Sequence, residues 1–165
     1  FEGLVMERVG IAMGSISQCW GALSHAIIYA NLRKQFNQEI LKFQGVGFHL
    51  TDLWARTTNL TLGMLKFCES YDEKVEKFGG DMNIPRNIQQ AMVASGSQLK
   101  YDATRLSEKV CYEAGNLMGG AGLCDNTAMH DYINISRIQE IIGGSTEIQQ
   151  YVMSLSLRTL FKMSV

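Results

Sequence analysis

The chain has 165 residues, of which 46% are hydrophobic and 19% charged, with a formal net charge of −1. That length fits one domain with a real core. The balance excludes a polybasic nucleic-acid binder, and no apolar stretch approaches bilayer-spanning length.

The first predicted element is a helix over about 2–31. Leu4, Val5, Val9, Ala12, Ile16, Trp20, Leu23, Ile27 and Ala30 recur every three or four residues, the spacing of one helical face. Small residues, Gly10, Gly14, Ser17, Gly21 and Ser24, line part of it. Glycine inside a helix costs up to about 1 kcal/mol relative to alanine, so such a stripe implies close approach by another helix or by a ligand. A second stripe, Val46, Leu50, Leu53, Trp54, Thr57, Leu60, Thr61, Met64, Leu65, Cys68 and Tyr71, predicts a helix over about 38–76. Gly79-Gly80 ends it, and Asn83-Ile84-Pro85 opens the next, since proline suits a first helical turn. The third stripe is Ile88, Ala91, Ser95, Leu99, Ala103, Leu106, Val110, Ala114 and Leu117.

Gly119-Gly120-Ala121-Gly122 breaks the chain. A short helix over roughly 126–138 follows, although its Tyr-Ile-Asn-Ile stretch alternates as a strand would. The last helix starts near Gly144-Ser145 and carries Ile148, Tyr151, Val152, Leu155, Thr159, Leu160 and Met163. Four long amphipathic helices, short connections and a single proline predict an all-α fold, an antiparallel four-helix bundle with an extra short helix.

Cys19, Cys68, Cys111 and Cys124 have no metal-ligand spacing, and His25, His49 and His130 are scattered. They read as core thiols in a reducing compartment and as structural or surface imidazoles, with no metal site. The chain opens at Phe1, with no signal-peptide pattern. We expect a piece of a longer protein, a processed chain or a natural split subunit.

Three segments could carry chemistry. Arg33-Lys34-Gln35-Phe36, with Gln44 eleven residues after Arg33, offers a planar guanidinium suited to a diphosphate. Asn116-Leu-Met-Gly-Gly-Ala-Gly122 allows close backbone approach. Gly143-Gly144-Ser145-Thr146 opens a helix, where free N–H groups favour an anion. Each is also an ordinary helix cap or turn.

The ordered set Glu7-Arg8, Tyr29-x3-Arg33-x2-Phe36, Ile40-x2-Phe43-Gln44, Phe48-x3-Asp52, Ala55-Arg56, Gly119-Gly-x-Gly122 and Gly144-Ser-Thr-Glu-Ile148 resembles the C-terminal domain of acyl-CoA dehydrogenases. The resemblance covers the whole chain. It implies that residues 1–165 are the C-terminal helical bundle domain, and that the family's N-terminal helical and middle β domains lie outside this chain. The activity implied is FAD-dependent α,β-dehydrogenation of an acyl-CoA thioester to the trans-2-enoyl-CoA, in fatty acid metabolism. Electrons then pass to an electron-transferring flavoprotein. A homotetramer or hetero-oligomer built as a dimer of dimers is implied, in the cytoplasm or mitochondrial matrix.

By the same resemblance, Arg33, Phe36 and Gln44 match positions that contact FAD, usually a neighbouring subunit's. Asn116, Gly119 and Gly120 match a Gln-x-x-Gly-Gly stretch that does the same. Ser145 and Glu147 match positions near the cofactor's adenosine end. Arg8 matches an arginine close to the substrate's CoA part, and Gly144 a backbone position beside the thioester. The family often carries its catalytic Glu where this chain has Gly143. A subgroup resembling isovaleryl- and long-chain acyl-CoA dehydrogenases places that Glu on the first long helix, in a Leu-x-x-Glu-Arg context. Here Leu4-Val-Met-Glu7-Arg8 matches, so Glu7 is the expected base. By patterning alone, Glu7 also reads as a surface acid.

Three further departures stand out: Asn37 where the family has Gly, Asn116 for Gln, and Asn134-Ile135 for an Arg-Asp pair. They keep open a second expectation, a non-catalytic helical scaffold or assembly subunit of a heteromeric acyl-CoA dehydrogenase-like complex. A chain this short is expected to need a second wall for the isoalloxazine, and to expose apolar faces that oligomerise.

Overall fold

The structure is a computed structural model that describes residues 2–160, with side chains described for 5–158. Leu4, Thr159 and Leu160 as side chains, and Met163 altogether, lie outside the described residues. Five helices account for most of it: α1 (Glu2–Leu32), α2 (Gln44–Phe78), α3 (Arg86–Met118), α4 (Met129–Ile141) and α5 (Thr146–Leu160). Short 3-10 turns precede α2 and α3 and follow α3, the last at Gly119–Leu123.

Paired residues fix the directions. Arg8 meets Ser97 and Gln18 meets Ser107, so α1 and α3 run parallel. Trp20 donates to Thr61, and His49 pairs with Glu113, so α2 runs against both. Ser15 donates to Gln139 and Arg137 to Glu108, so α4 also runs against both. The expected antiparallel four-helix bundle is therefore present, with α1 and α3 on its most extensively packed diagonal. Its fourth member is the short α4, which packs on both α1 and α3, while α5 packs against α3.

The α1–α3 seam is built from small residues. Ala12, Cys19, Ala22, Ala26, Ala103, Cys111 and Ala114 are fully buried, and Leu23, Leu53 and Met129 fill around them. A Cβ on Gly96 would stand 3.3 Å from Val5, which shows how closely the two backbones approach. The glycine stripe of α1 serves α4 instead. A Cβ at Gly14 would meet Gln139, and one at Gly21 would lie 2.7 Å from the Tyr132 hydroxyl. Gly10 faces open space, and Ser17 and Ser24 are exposed.

Three expectations need correction. The second helix starts at Gln44, not near 38, because Lys34–Gln35 and Gln38–Glu39 pair as a β-hairpin. Its two-residue turn, Phe36-Asn37, has φ of 51° and 63°, the type I′ geometry that matches strand twist. The short helix runs 129–141 rather than 126–138, and its alternating stretch is helical. The stripes of α2, α3 and α5 are partly misphased. Trp54, Leu65, Ile148, Tyr151 and Leu155 are exposed, as are Ala91 and Ser95. The seam instead buries Ser97, Lys100, Thr104, Ser107 and Gln149. Hydroxyls pass that test because each can hydrogen-bond locally, as Thr104 does to the carbonyl of Lys100.

Candidate active site at the α1–α5 end

The candidate residues fall into two groups. Glu7 and Arg33 stand 26 residues apart along or just beyond α1, about 39 Å at 1.5 Å per residue. Because α3 is parallel to α1, Asn116, Gly119 and Gly120 join Arg33, Phe36 and Gln44 at one end of the bundle. Glu7, Arg8, Gly144, Ser145 and Glu147 occupy the other.

At the second end, α4 stops at Ile141 and α5 starts at Thr146. The intervening turn has φ of +62° at Gly143 and +96° at Gly144, backbone that L side chains rarely adopt. The turn lies against α1. A Cβ at position 143 would come within 2.4 Å of Ile11 Cδ1 and 3.6 Å of Glu7 Oε1. Thus the exposed carboxylate of Glu7 stands beside the place a side chain at position 143 would take, and the glycine lets Ile11 and Glu7 pack against the turn.

Below the turn lies a buried polar cluster. Lys100, 1% exposed, donates its ammonium to the Gly144 carbonyl. Gln149, also 1% exposed, donates its Nε2 to the same oxygen at 2.8 Å. Burial pushes the Lys100 ammonium below its ordinary range, and the Arg8 charge adds to that, while Glu140 and Glu7 oppose it. Arg8 is buried between α1 and α3, with Nη1 donating to Ser97 Oγ at 3.1 Å and Nε unpartnered. It faces the seam, so the guanidinium is held by protein at this end. Thr146 Oγ1 donates to Glu140 at 3.0 Å, and Arg137 donates to the other Glu140 oxygen at 2.6 Å. Ser145 Oγ donates to Glu147 at 2.7 Å, which holds that carboxyl below its usual range. Sequence reasoning missed Lys100 and Gln149 entirely. The only signal was a lysine in phase with Ala103 and Ser107 on an apolar seam.

At the first end the candidate side chains are exposed, although the neighbouring Lys34 and Lys42 pair with Glu39. Arg33 is exposed and makes no side-chain hydrogen bond or ion pair among the described residues, while its backbone is tied into the hairpin. Phe36 is 87% exposed at a φ that bulky residues avoid, and its ring meets Phe43 edge-on at 6.1 Å. Asn37 keeps the left-handed backbone that glycine favours, and asparagine is among the residues that tolerate it. Gln44, Asn116, Gly119 and Gly120 are exposed, with Gly119 at φ +57°. Unpaired donors on a rigid frame fit an anionic cofactor such as a dinucleotide diphosphate. An open groove of about 1410 Å³ lies elsewhere, over α3 between α2 and α4, and none of the candidate residues lines it.

The bundle thus carries a carboxylate beside a glycine turn at one end and exposed donors, unpaired among the described residues, at the other. Comparison with known proteins gives that arrangement its family. The chain belongs to the acyl-CoA dehydrogenase family, matching the acyl-CoA dehydrogenase C-terminal domain over residues 1–157. It is 26% identical to the caffeyl-CoA reductase–Etf complex subunit CarC of Acetobacterium woodii, over 92% of this chain and 36% of that protein. It is 27% identical to the mitochondrial isobutyryl-CoA dehydrogenase of Bos taurus, over 94% of this chain and 34% of that one. The fold matches the acyl-CoA dehydrogenase of Geobacillus kaustophilus with a TM-score of 0.81 at 20% identity, over 94% of this chain and 37% of that one. The chain thus spans about a third of the length of these relatives.

Proposed function

We propose that this chain is the C-terminal part of an FAD-dependent acyl-CoA dehydrogenase, with Glu7 as the base. The observation that carries this is the Glu7 carboxylate in the space beside Gly143, 3.6 Å from where a Cβ at that position would stand. In the family pattern that space holds the base's side chain, so the carboxylate is supplied from α1 to the same place. Glu7 takes the α-proton of the acyl thioester. The proton is weakly acidic, so the developing enolate oxygen needs N–H donors, which the turn at Gly144 and the start of α5 present. FAD, when bound, takes the β-hydrogen as hydride. The rest of the acyl pocket comes from outside this chain, against exposed apolar side chains such as Met6, Ile142 and Ile148.

The ends of the bundle are farther apart than one extended dinucleotide reaches. We therefore assign Ser145 and Glu147 to the cofactor of the site containing Glu7. Arg33, Phe36, Gln44, Asn116, Gly119 and Gly120 go to a second cofactor molecule, held by a neighbouring subunit in a dimer of dimers. Arg8 acts from within the seam, setting the charge beneath the turn near the CoA part of the substrate. An electron-transferring flavoprotein is the proposed redox partner, supported by the Etf complex to which the Acetobacterium relative belongs by name.

The test is Glu7→Gln in the FAD-loaded protein that contains this chain. FAD should stay bound, and flavin bleaching by acyl-CoA should slow by about 10²–10⁴-fold. Bleaching at the wild-type rate would exclude Glu7 as the base.

A further inference from the structure

We propose that Lys100 and Gln149 are positioning residues for the proton abstraction, converging on the Gly144 carbonyl to hold the Gly143-Gly144 turn against Glu7. This rests on the reading of Glu7 as base. Three observations carry it. First, two consecutive positive-φ glycines permit this turn but do not impose it, because glycine populates either sign of φ about equally. Something outside the turn must select the conformation.

Second, two fully buried side chains from different helices, α3 and α5, donate to one oxygen, that of Gly144. Gln149 also reaches the Gly143 carbonyl, at 3.3 Å. Third, a buried ammonium is expensive to fold unless it is paired, and Lys100 makes no ion pair among the described residues. Arg8 repels it, and Glu140 and Glu7 attract it only from a distance. A methionine would fill the same space without that cost. What the ammonium does in return is fix one carbonyl, and with it the direction of the amides that follow and the gap between turn and carboxylate. Gln149 shows the same commitment, since its Oε1 is buried without a partner while its Nε2 serves the turn.

The experiment compares Lys100→Met, Gln149→Leu and Glu7→Gln in the FAD-loaded protein, by exchange of the amides that flank and close the turn, Ile142 onto Ile138 and Gln149 onto Ser145, and by substrate titration of flavin bleaching. Either positioning variant should raise exchange in the turn about 10-fold. The bleaching rate at saturating acyl-CoA should fall about 10- to 100-fold, with KM moving less than about threefold. Glu7→Gln should leave exchange unchanged. A lysine that only stabilised the fold would lower the melting temperature without moving turn exchange or the saturated rate below it. Wild-type exchange or an unchanged saturated rate in Lys100→Met overturns the proposal while leaving Glu7 as base. Full bleaching in Glu7→Gln removes the base reading while the exchange result stands. Should Lys100→Met fail to fold, Gln149→Leu carries the same outcomes.

Discussion

The two ends of the bundle solve opposite problems. At the α1–α5 end nearly every polar group is held by its own chain: Lys100 and Gln149 on Gly144, Arg8 on Ser97, Thr146 and Arg137 on Glu140. At the hairpin end the backbone is tied down and Glu39 is paired with Lys34 and Lys42, but Arg33 has no side-chain partner among the described residues and Phe36 is held outward. An interlocked end suits a group that must meet a reacting atom within tenths of an ångström. An open end suits contact with a large ligand whose other half rests elsewhere, because unpaired donors leave nothing to displace on binding.

The contrast can be broken experimentally, starting where the effect is largest. Gly143→Ala should cost about 2–4 kcal/mol in urea denaturation, combining left-handed strain with the contact at Ile11. A loss below about 0.5 kcal/mol would mean that the end is not interlocked. Arg33→Ala should do the reverse, changing stability by less than about 0.5 kcal/mol while weakening FAD retention about 10-fold. Unchanged FAD affinity on dialysis would remove Arg33 from the cofactor site. Asn37→Gly should stabilise by about 0.5–1 kcal/mol, since glycine meets no Cβ penalty at φ +63°. A destabilised variant would show that the asparagine side chain matters more than the backbone.

The finest test is pH. Lys100 has a folded-state pKa below its ordinary 10.5, so the folded protein binds fewer protons than the unfolded chain between those two values. Stability should therefore rise with pH across that window. The full penalty applies below it and none above 10.5. The difference between wild type and Lys100→Met in denaturation midpoint should shift in wild type's favour as pH approaches 10.5. A pH-independent difference would mean the ammonium is not desolvated.

Much of this was legible in the sequence. Helix α1 is legible to within a residue, because apolar residues recur along it every three or four positions and that face is buried or half-buried from Val5 to Ala30. The family resemblance pairs Glu7 with Gly143 although 136 residues separate them, whereas patterning alone makes Glu7 a surface acid. The hairpin was missed because neither Phe36 nor Asn37 is the glycine that usually marks such a turn. The seam of α3 was misphased because periodicity counts apolar residues, whereas a close helix pair is built from small ones whatever their polarity. Ser97, Thr104 and Ser107 look like surface residues in a string and are core in the fold. Lys100 was invisible for the same reason, since no composition rule buries a lysine. The apolar stripe of α5 is legible as a helical period, and its Tyr151 and Leu155 face outward.

The parallel diagonal has one more consequence. With alanine, cysteine and glycine along the α1–α3 contact, the bundle has no lumen. Other helical bundles lodge a haem or a metal pair on their central axis, but here that axis is filled by main chain drawn together. Among the described residues, the tips and flanks of the bundle are what a ligand can reach. Under the proposed assignment such a domain is a strut between its two sites, and the length of α1 sets their separation.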